Sequence, residues 1–333
     1  MTLLRLSARA LTRCRFAVSP LAETVGTLLD LERRADPRFR RWRDRSPLRR
    51  GLFDLSARTK YLPDPLAVPP DGGMRTRLTD ELALVAGFSD ADVRDSVRLA
   101  VDASWGERPE TSWVQDDSLA PRIAGDLADA WERFVRPDWP RRRAIIERDI
   151  AYRTELLAAG GWRAVVATIA KNTSWATDDV ISFGRPGHPD RIIDDGIVFA
   201  PHTEGTGTWT CEFPPPRFAM TYPARGRAAE VDPAAGADLA RLVGAGRARV
   251  LLELRVPATS TELARILGVS LGTVSAHLAG LRSAGTIAGV RSGRTVRYRL
   301  DPRGWDLLAA FGVPISPNGH DQAGFPGADG FRS

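Results

Sequence analysis

Between Thr259 and Leu300 the sequence is punctuated so closely that few folds can accommodate it. Thr259-Ser260-Thr261-Glu262 has the spacing of a capping box, in which a hydroxyl and a carboxylate each satisfy a backbone N–H at a helix start. The helix behind it is expected to bury Leu263, Ile266 and Leu267 and to end at Gly268. Val269 bridges to Ser270, a second cap. The next helix then buries Val274, Leu278 and Leu281 and ends at Ala284-Gly285. Two helices joined by a short turn containing glycine form a helix-turn-helix. A hairpin follows, with strands at 287–291 and 294–300 and a turn at Ser292-Gly293. In its second strand Val296, Tyr298 and Leu300 alternate with Thr295, Arg297 and Arg299. That predicts an apolar face on the helices and a basic face outward, as in a winged helix-turn-helix.

The residue types fit duplex DNA. A helix that enters the major groove needs small or polar side chains at its N-terminal end, and Ser270, Leu271, Gly272, Thr273, Ser275 and Ala276 supply them within a recognition helix at 270–284. Arg282, Arg291, Arg294, Arg297 and Arg299, most of them in a wing at 287–300, are placed to meet phosphates or a narrow minor groove. The bland alternative is a winged helix that binds another protein.

Charge by segment agrees. The chain has 333 residues and a net charge of +6. Residues 231–311 hold 11 Arg against 6 acidic side chains, and residues 1–60 hold 15 basic against 6 acidic, while the stretch between is net acidic. Two basic blocks suggest a polyanionic partner; the alternative is a solvated surface, or pairing with the acidic middle. The length suits two domains. We expect an accessory, sensor or dimerisation domain over 1–230, the winged helix over 231–311, and a Gly-, Pro- and Asp-rich disordered tail over 312–333.

The first 230 residues read as mostly helical with a small β region. Ser19-Pro20-Leu21-Ala22-Glu23 marks a helix start, and 78–101 and 123–157 read mainly as helices. After Gly160-Gly161, the short runs at 180–183, 192–193, 196–199 and 208–213 predict a small antiparallel sheet or hairpins, with 218–223 as a last edge strand. The fold class expected for the whole chain is therefore α+β. No apolar run is long enough to span a membrane, no secretory leader is apparent, and two cysteines cannot build a disulfide framework, so a cytoplasmic setting is expected.

Several stretches resemble the ArsR-type (arsenical-resistance repressor) family of bacterial winged-helix regulators. They are Arg247-Ala248-Arg249-Val250-Leu251, Thr261-Glu262-Leu263-Ala264, Leu267-Gly268-Val269-Ser270, Thr273-Val274-Ser275-Ala276-His277-Leu278, Leu281-Arg282-Ser283-Ala284-Gly285 and Gly293-Arg294-Thr295-Val296-Arg297-Tyr298. The resemblance covers about 70 residues. It implies a homodimer in which the first and last helices of the domain pair, here 238–244 and 303–311, with Leu239, Leu242, Trp305, Leu308 and Phe311 at the interface. It also implies a repressor acting on operator DNA. The sequence departs from the family in two places. Glu262 to Leu267 carries no Cys, so metal sensing there is not expected, and Ala276 stands where the family often has the first of two adjacent His. Arg15-Phe16-Ala17-Val18-Ser19-Pro20-Leu21 and Tyr222-Pro223-Ala224-Arg225-Gly226 carry a weaker likeness to the long N-terminal region of some of these regulators.

Other constellations carry less. His188, Asp190, Asp194, Asp195, His202 and Glu204 lie near one another in sequence, as metal ligands or as ordinary loop residues. Cys14 sits between Arg13 and Arg15, which would lower its pKa, or it is a small core residue. The Trp and Phe residues of 100–220 are either core or the lining of an organic effector pocket. No nucleophile elbow or phosphate loop is present. The reading reached is a dimeric DNA-binding transcriptional regulator, with no catalysis, metal or cofactor. The rivals are a hydrolase-like domain at 61–230 fused to a DNA-binding module, and a protein-interaction module.

Overall fold

The computed structural model describes residues 2–59, 61–169, 173–184, 190–205, 207–213, 217–225, 233–292 and 295–313. The chain separates into two compact units, Met1–Arg225 and Gly226–Ser333.

The first unit begins with strand β1 (Thr2–Leu6), helix α1 (Ala8–Arg13) and strand β2 (Arg15–Phe16). Six helices and one long helix follow, interrupted by loops: α2 (Pro20–Arg33), α3 (Pro37–Arg43), α4 (Pro47–Ser56), α5 (Leu78–Ala86), α6 (Asp90–Asp102), α7 (Leu119–Ala130) and α8 (Trp139–Val166). Ser19 caps α2 by accepting the Ala22 N–H, with Pro20 in the first turn, as its sequence predicts. Asp36-Pro37 and Ser46-Pro47 repeat that start, which divides the Arg-rich stretch into α3 and α4. Gly161, at φ 65°, breaks α8 near its end. The helices bury Phe39, Trp42, Phe53, Val85, Val97, Trp113, Ile123 and Leu127 in one core.

The β region differs from the small antiparallel sheet or hairpins expected, because it contains parallel pairs. Strands β3 (Thr173–Trp175), β4 (Val180–Phe183), β5 (Arg191–Ile193), β6 (Ile197–His202), β7 (Trp209–Phe213) and β8 (Arg217–Pro223) combine with the two N-terminal strands into two mixed sheets. One runs β3-β4-β1-β5 and the other β2-β6-β8-β7. In the first, β1 pairs antiparallel with β4 and parallel with β5. In the second, β6 lies parallel to both β2 and β8, and β7 closes antiparallel on β8. β8 is therefore an inner strand, not an edge, and Phe218, Ala219, Met220, Thr221 and Tyr222 are all buried. A strand covered on both faces reads as a continuous apolar run and loses the alternation that marks an edge.

The first basic block finds many of its partners inside this unit. Arg49 pairs with Asp126 and Asp129, Arg43 with Glu32 and Asp54, and Arg34 with Asp30. Arg49 thus pairs with the acidic middle of the chain, as the alternative reading expects, whereas Arg43 and Arg34 pair with acids of the basic block itself.

The second unit contains α9 (Pro233–Val243), α10 (Ala245–Glu253), strand β9 (Ala258–Thr259), α11 (Ser260–Leu267), α12 (Leu271–Ser283), strands β10 (Ile287–Ser292) and β11 (Thr295–Leu300), and α13 (Pro302–Ala310). The sheet runs β10-β11-β9. Leu239, Val250, Leu251, Leu263, Val274, Leu278, Leu281, Ile287, Leu300 and Leu308 form its core. Val313 belongs to that core as well, so the domain extends past the expected limit at 311. Residues 314–333, the rest of the expected tail, lie outside the described residues.

Candidate nucleic-acid interface

The geometry follows from the caps. Thr259 accepts the Glu262 N–H at 3.2 Å, and the Glu262 carboxylate accepts the Thr259 N–H at 2.6 Å, so both halves of the capping box form. Gly268 closes α11 in the left-handed region, at φ 66°. Two residues later Ser270 caps α12 by accepting the Thr273 N–H at 3.1 Å. The chain turns by 116° between the two helices, within the range of helix-turn-helix units. Val274, Leu278 and Leu281 face the core, as expected, so α12 can present only its opposite side.

That opposite side carries the residues expected to meet bases. Ser270, Leu271, Gly272, Thr273, Ser275 and Ala276 are all exposed, and Leu271 keeps 51 % of its surface open. Arg282, further along the helix, is exposed too. Two of the hydroxyls are partly committed locally, because Ser270 is the cap and its Oγ lies 2.8 Å from Thr273 Oγ1. His277 is half-buried, and an added Cβ on Gly246 of α10 would fall 2.4 Å from its Nε2. The imidazole thus packs between α10 and α12.

The hairpin is more mixed than a clean basic face. Its register sets Arg291 opposite Val296, Val290 opposite Arg297, and Ala288 opposite Arg299. Residues opposite one another share a face. Arg291 therefore lies on the side of Tyr298 and Leu300, while Arg297 and Arg299 share the other side with Val290 and Ala288. Arg291 is exposed, but Arg297 and Arg299 are half-buried, and Arg297 Nη1 reaches the Pro257 carbonyl at 3.4 Å. Val296, expected against the helices, is 40 % exposed, because the outer end of the hairpin extends beyond the core. Arg294, expected among the phosphate contacts, lies outside the described residues.

The residues expected at a dimer face divide. Leu239 and Leu308 are fully buried in the unit's own core and offer no surface, so their helical periodicity serves the fold. Leu242 is 64 % exposed, and Trp305 and Phe311 are half-buried. Arg247 carries no functional expectation from the sequence beyond its place in a matching stretch. It stands exposed beside α12, with its guanidinium about 3.4 Å from where a Cβ of Gly280 would be. Its position two residues from Arg249, on the helix that packs on α12, is the signal that marks it.

In the first unit the other constellations come apart. Asp190 accepts the Leu3 N–H, Asp195 pairs with Arg13, Glu204 pairs with Arg142 at 3.3 Å, and buried His202 bonds the Gly207 carbonyl through Nε2 at 2.9 Å. His188 lies outside the described residues. Among the described residues no group of three or more His, Cys, Asp or Glu is placed to hold a metal ion. Cys14 takes the second of its two readings, packed against the core. Burial pushes its thiol up to about 11, outweighing the Ile197 N–H and nearby Arg15, so it is no activated thiolate. The aromatic residues serve mainly as core, Trp113, Trp131, Phe199 and Phe218 being buried. A cavity of about 220 Å³ in this unit is instead walled largely by charge, from Asp30, Arg34, Asp36, Arg38, Arg142 and Glu204, with Phe134 as an aromatic wall.

No single described helix is long and apolar enough to cross a membrane. No curated protein and no solved structure matches this chain. Residues 247–290, from α10 into β10, match the family model described as a helix-turn-helix domain, so the chain carries a helix-turn-helix domain, which points to DNA as a partner and to regulation of transcription.

Proposed function

We propose that the chain is a cytoplasmic transcriptional repressor of the kind the ArsR-like motifs resemble, gripping operator DNA as a homodimer. In this reading α12 enters the major groove and the β10–β11 hairpin follows the backbone, with Arg282 and Arg291 at phosphates. The observation that carries it is the exposure of Leu271, Gly272, Thr273, Ser275 and Ala276 on a helix whose other side is committed to the core of a helix-turn-helix domain. Exposed Leu242 and half-buried Trp305 and Phe311 are the surface on offer to a second copy. The first unit takes up an organic effector and performs no catalysis. Its charged cavity favours a small polar molecule over the apolar ligand that the aromatic content suggested.

The test is selection of bound fragments from the source genome by the purified full chain, followed by mobility shifts on the recovered duplexes. Tight, salt-sensitive binding to a shared palindromic element is the expected result. Binding to no duplex, or binding with no sequence preference, would remove the regulator reading.

A further inference from the structure

We propose that α12 selects its site chiefly through the 5-methyl group of a pyrimidine, with Leu271 as the reader. This deepens the DNA-binding reading above and rests on it.

Reading guanine or adenine by paired hydrogen bonds requires a guanidinium, ammonium or carboxamide at the base edge. The exposed positions in the first turns of α12 hold none of these. They are Leu271, Gly272, Thr273, Ser275 and Ala276. The Thr273 hydroxyl is already engaged with the cap, 2.8 Å from Ser270 Oγ, while Ser270 Oγ accepts the Thr273 N–H. What this surface offers a base edge is therefore mostly apolar, with Ser275 as a hydroxyl beside it.

Leu271 is the notable member. Leu263, Leu278 and Leu281 of the same two helices are buried, whereas Leu271 leaves 51 % of its surface in solvent at the first helical position. Burying such a side chain against a thymine methyl recovers the favourable transfer that exposure forgoes. Gly272 supports the same approach. Its surroundings hold nothing nearer an added Cβ than Ser270 Oγ at 3.8 Å, so packing within the protein does not demand a glycine. The missing side chain leaves room for the groove next to Leu271.

Thymine and 5-methylcytosine both present this methyl, and the test separates them. A duplex selected by the full chain is remade with single thymines replaced by deoxyuridine, which removes only the methyl. At one or two positions in each half-site, binding is expected to weaken about fourfold, the worth of one buried methyl. A cytosine placed at such a position should bind more tightly once methylated at C5, and absence of any gain would overturn the methyl as the group read. Leu271→Ala should bind thymine and deoxyuridine probes alike while keeping its salt dependence, and Leu271→Met should retain the discrimination. Failure to bind any duplex would sink the DNA-binding reading itself. Sequence-specific binding that ignores every thymine-to-deoxyuridine exchange, or a discrimination that survives Leu271→Ala, would overturn the methyl reading alone.

Discussion

An added Cβ on Gly304 would stand 2.1 Å from the carbonyl oxygen of Thr286, a separation that no side chain can occupy. The same oxygen accepts the Asp301 N–H at 3.0 Å. Helix α13 thus lies with its glycine flat against the turn that leads out of α12 into the hairpin. The C-terminal helix and the end of the candidate recognition helix are held together by this close approach.

Gly304→Ala should therefore destabilise the second unit, although alanine is the better helix former by about 1 kcal/mol. The obstacle is backbone, which cannot swing aside as a flexible side chain can. A net loss of roughly 1–3 kcal/mol is expected, the usual cost of forcing extra volume into a packed site. Denaturant melts of the variant and the parent chain check it, and an unchanged or higher midpoint would contradict the packing described.

A second prediction concerns the buried ion pair of the first unit. Glu23 is wholly buried, and its carboxylate accepts from Arg142 Nη1 at 2.6 Å and from the Thr203 N–H at 2.7 Å, with the Thr203 hydroxyl as a further donor. Arg142 also donates to Thr27 Oγ1 at 2.8 Å. Arg142→Met leaves the carboxylate buried without its cation and should cost about 3–5 kcal/mol. The double variant Glu23→Gln with Arg142→Met should recover part of that loss in thermal unfolding.

The third prediction is a pH dependence. Glu81 is buried and caps the start of α2, accepting from the Ser19 hydroxyl and from the Leu21 N–H at 2.8 Å. Burial pushes its pKa from the ordinary 4.5 up to about 8, against the pull of those two donors. The folded chain then retains a proton that the unfolded chain releases between these values. Stability should accordingly fall as pH rises from about 4.5 to about 8, and level off above that. In Glu81→Gln that contribution disappears, so unfolding midpoints measured at pH 5 and pH 8 should lie closer together than in the parent.

The fourth prediction divides phosphate contacts from base readers. Arg282→Ala or Arg291→Ala should weaken binding to all duplexes alike and lower the slope of log affinity against log salt by about 0.9 for each phosphate that is no longer neutralised. Ser275→Ala should instead change which sequences are preferred and leave the slope in place. Mobility shifts over a salt series distinguish the two, and unchanged slopes in both arginine variants would refute the phosphate role.

The parts of this protein legible in one dimension are those whose determinants are local. Caps, glycine stops and helical periodicity lie within a few residues of one another, so Ser19, Thr259-Glu262, Gly268, Ser270 and Gly285 suffice to place α2, α11, α12 and the hairpin. Exposure of the first turns of α12 follows from the same pattern, since committing Val274, Leu278 and Leu281 to the core leaves the other side outward.

The β region is legible only in its strands. Which strands pair depends on contacts between residues nearly two hundred positions apart, such as Thr2 opposite Phe183 and Arg15 opposite Val198. No local signal announces that the first residues of the chain complete both sheets, or that β8 lies inside one.

By itself, then, the sequence determined the helix-turn-helix, its caps and the chemical character of its outward surface, because each rests on hydrogen bonds and periodicity over short spans. Tertiary structure alone decided that Leu239 and Leu308 are interior while Leu242 is not, and that Arg297 lies half-buried while Arg291 is exposed. It alone seated Glu23 against Arg142 and raised the Cys14 thiol that its arginine neighbours would lower. Periodicity names a face but not its partner, and burial and charge pairing depend on segments that meet only when the chain has folded.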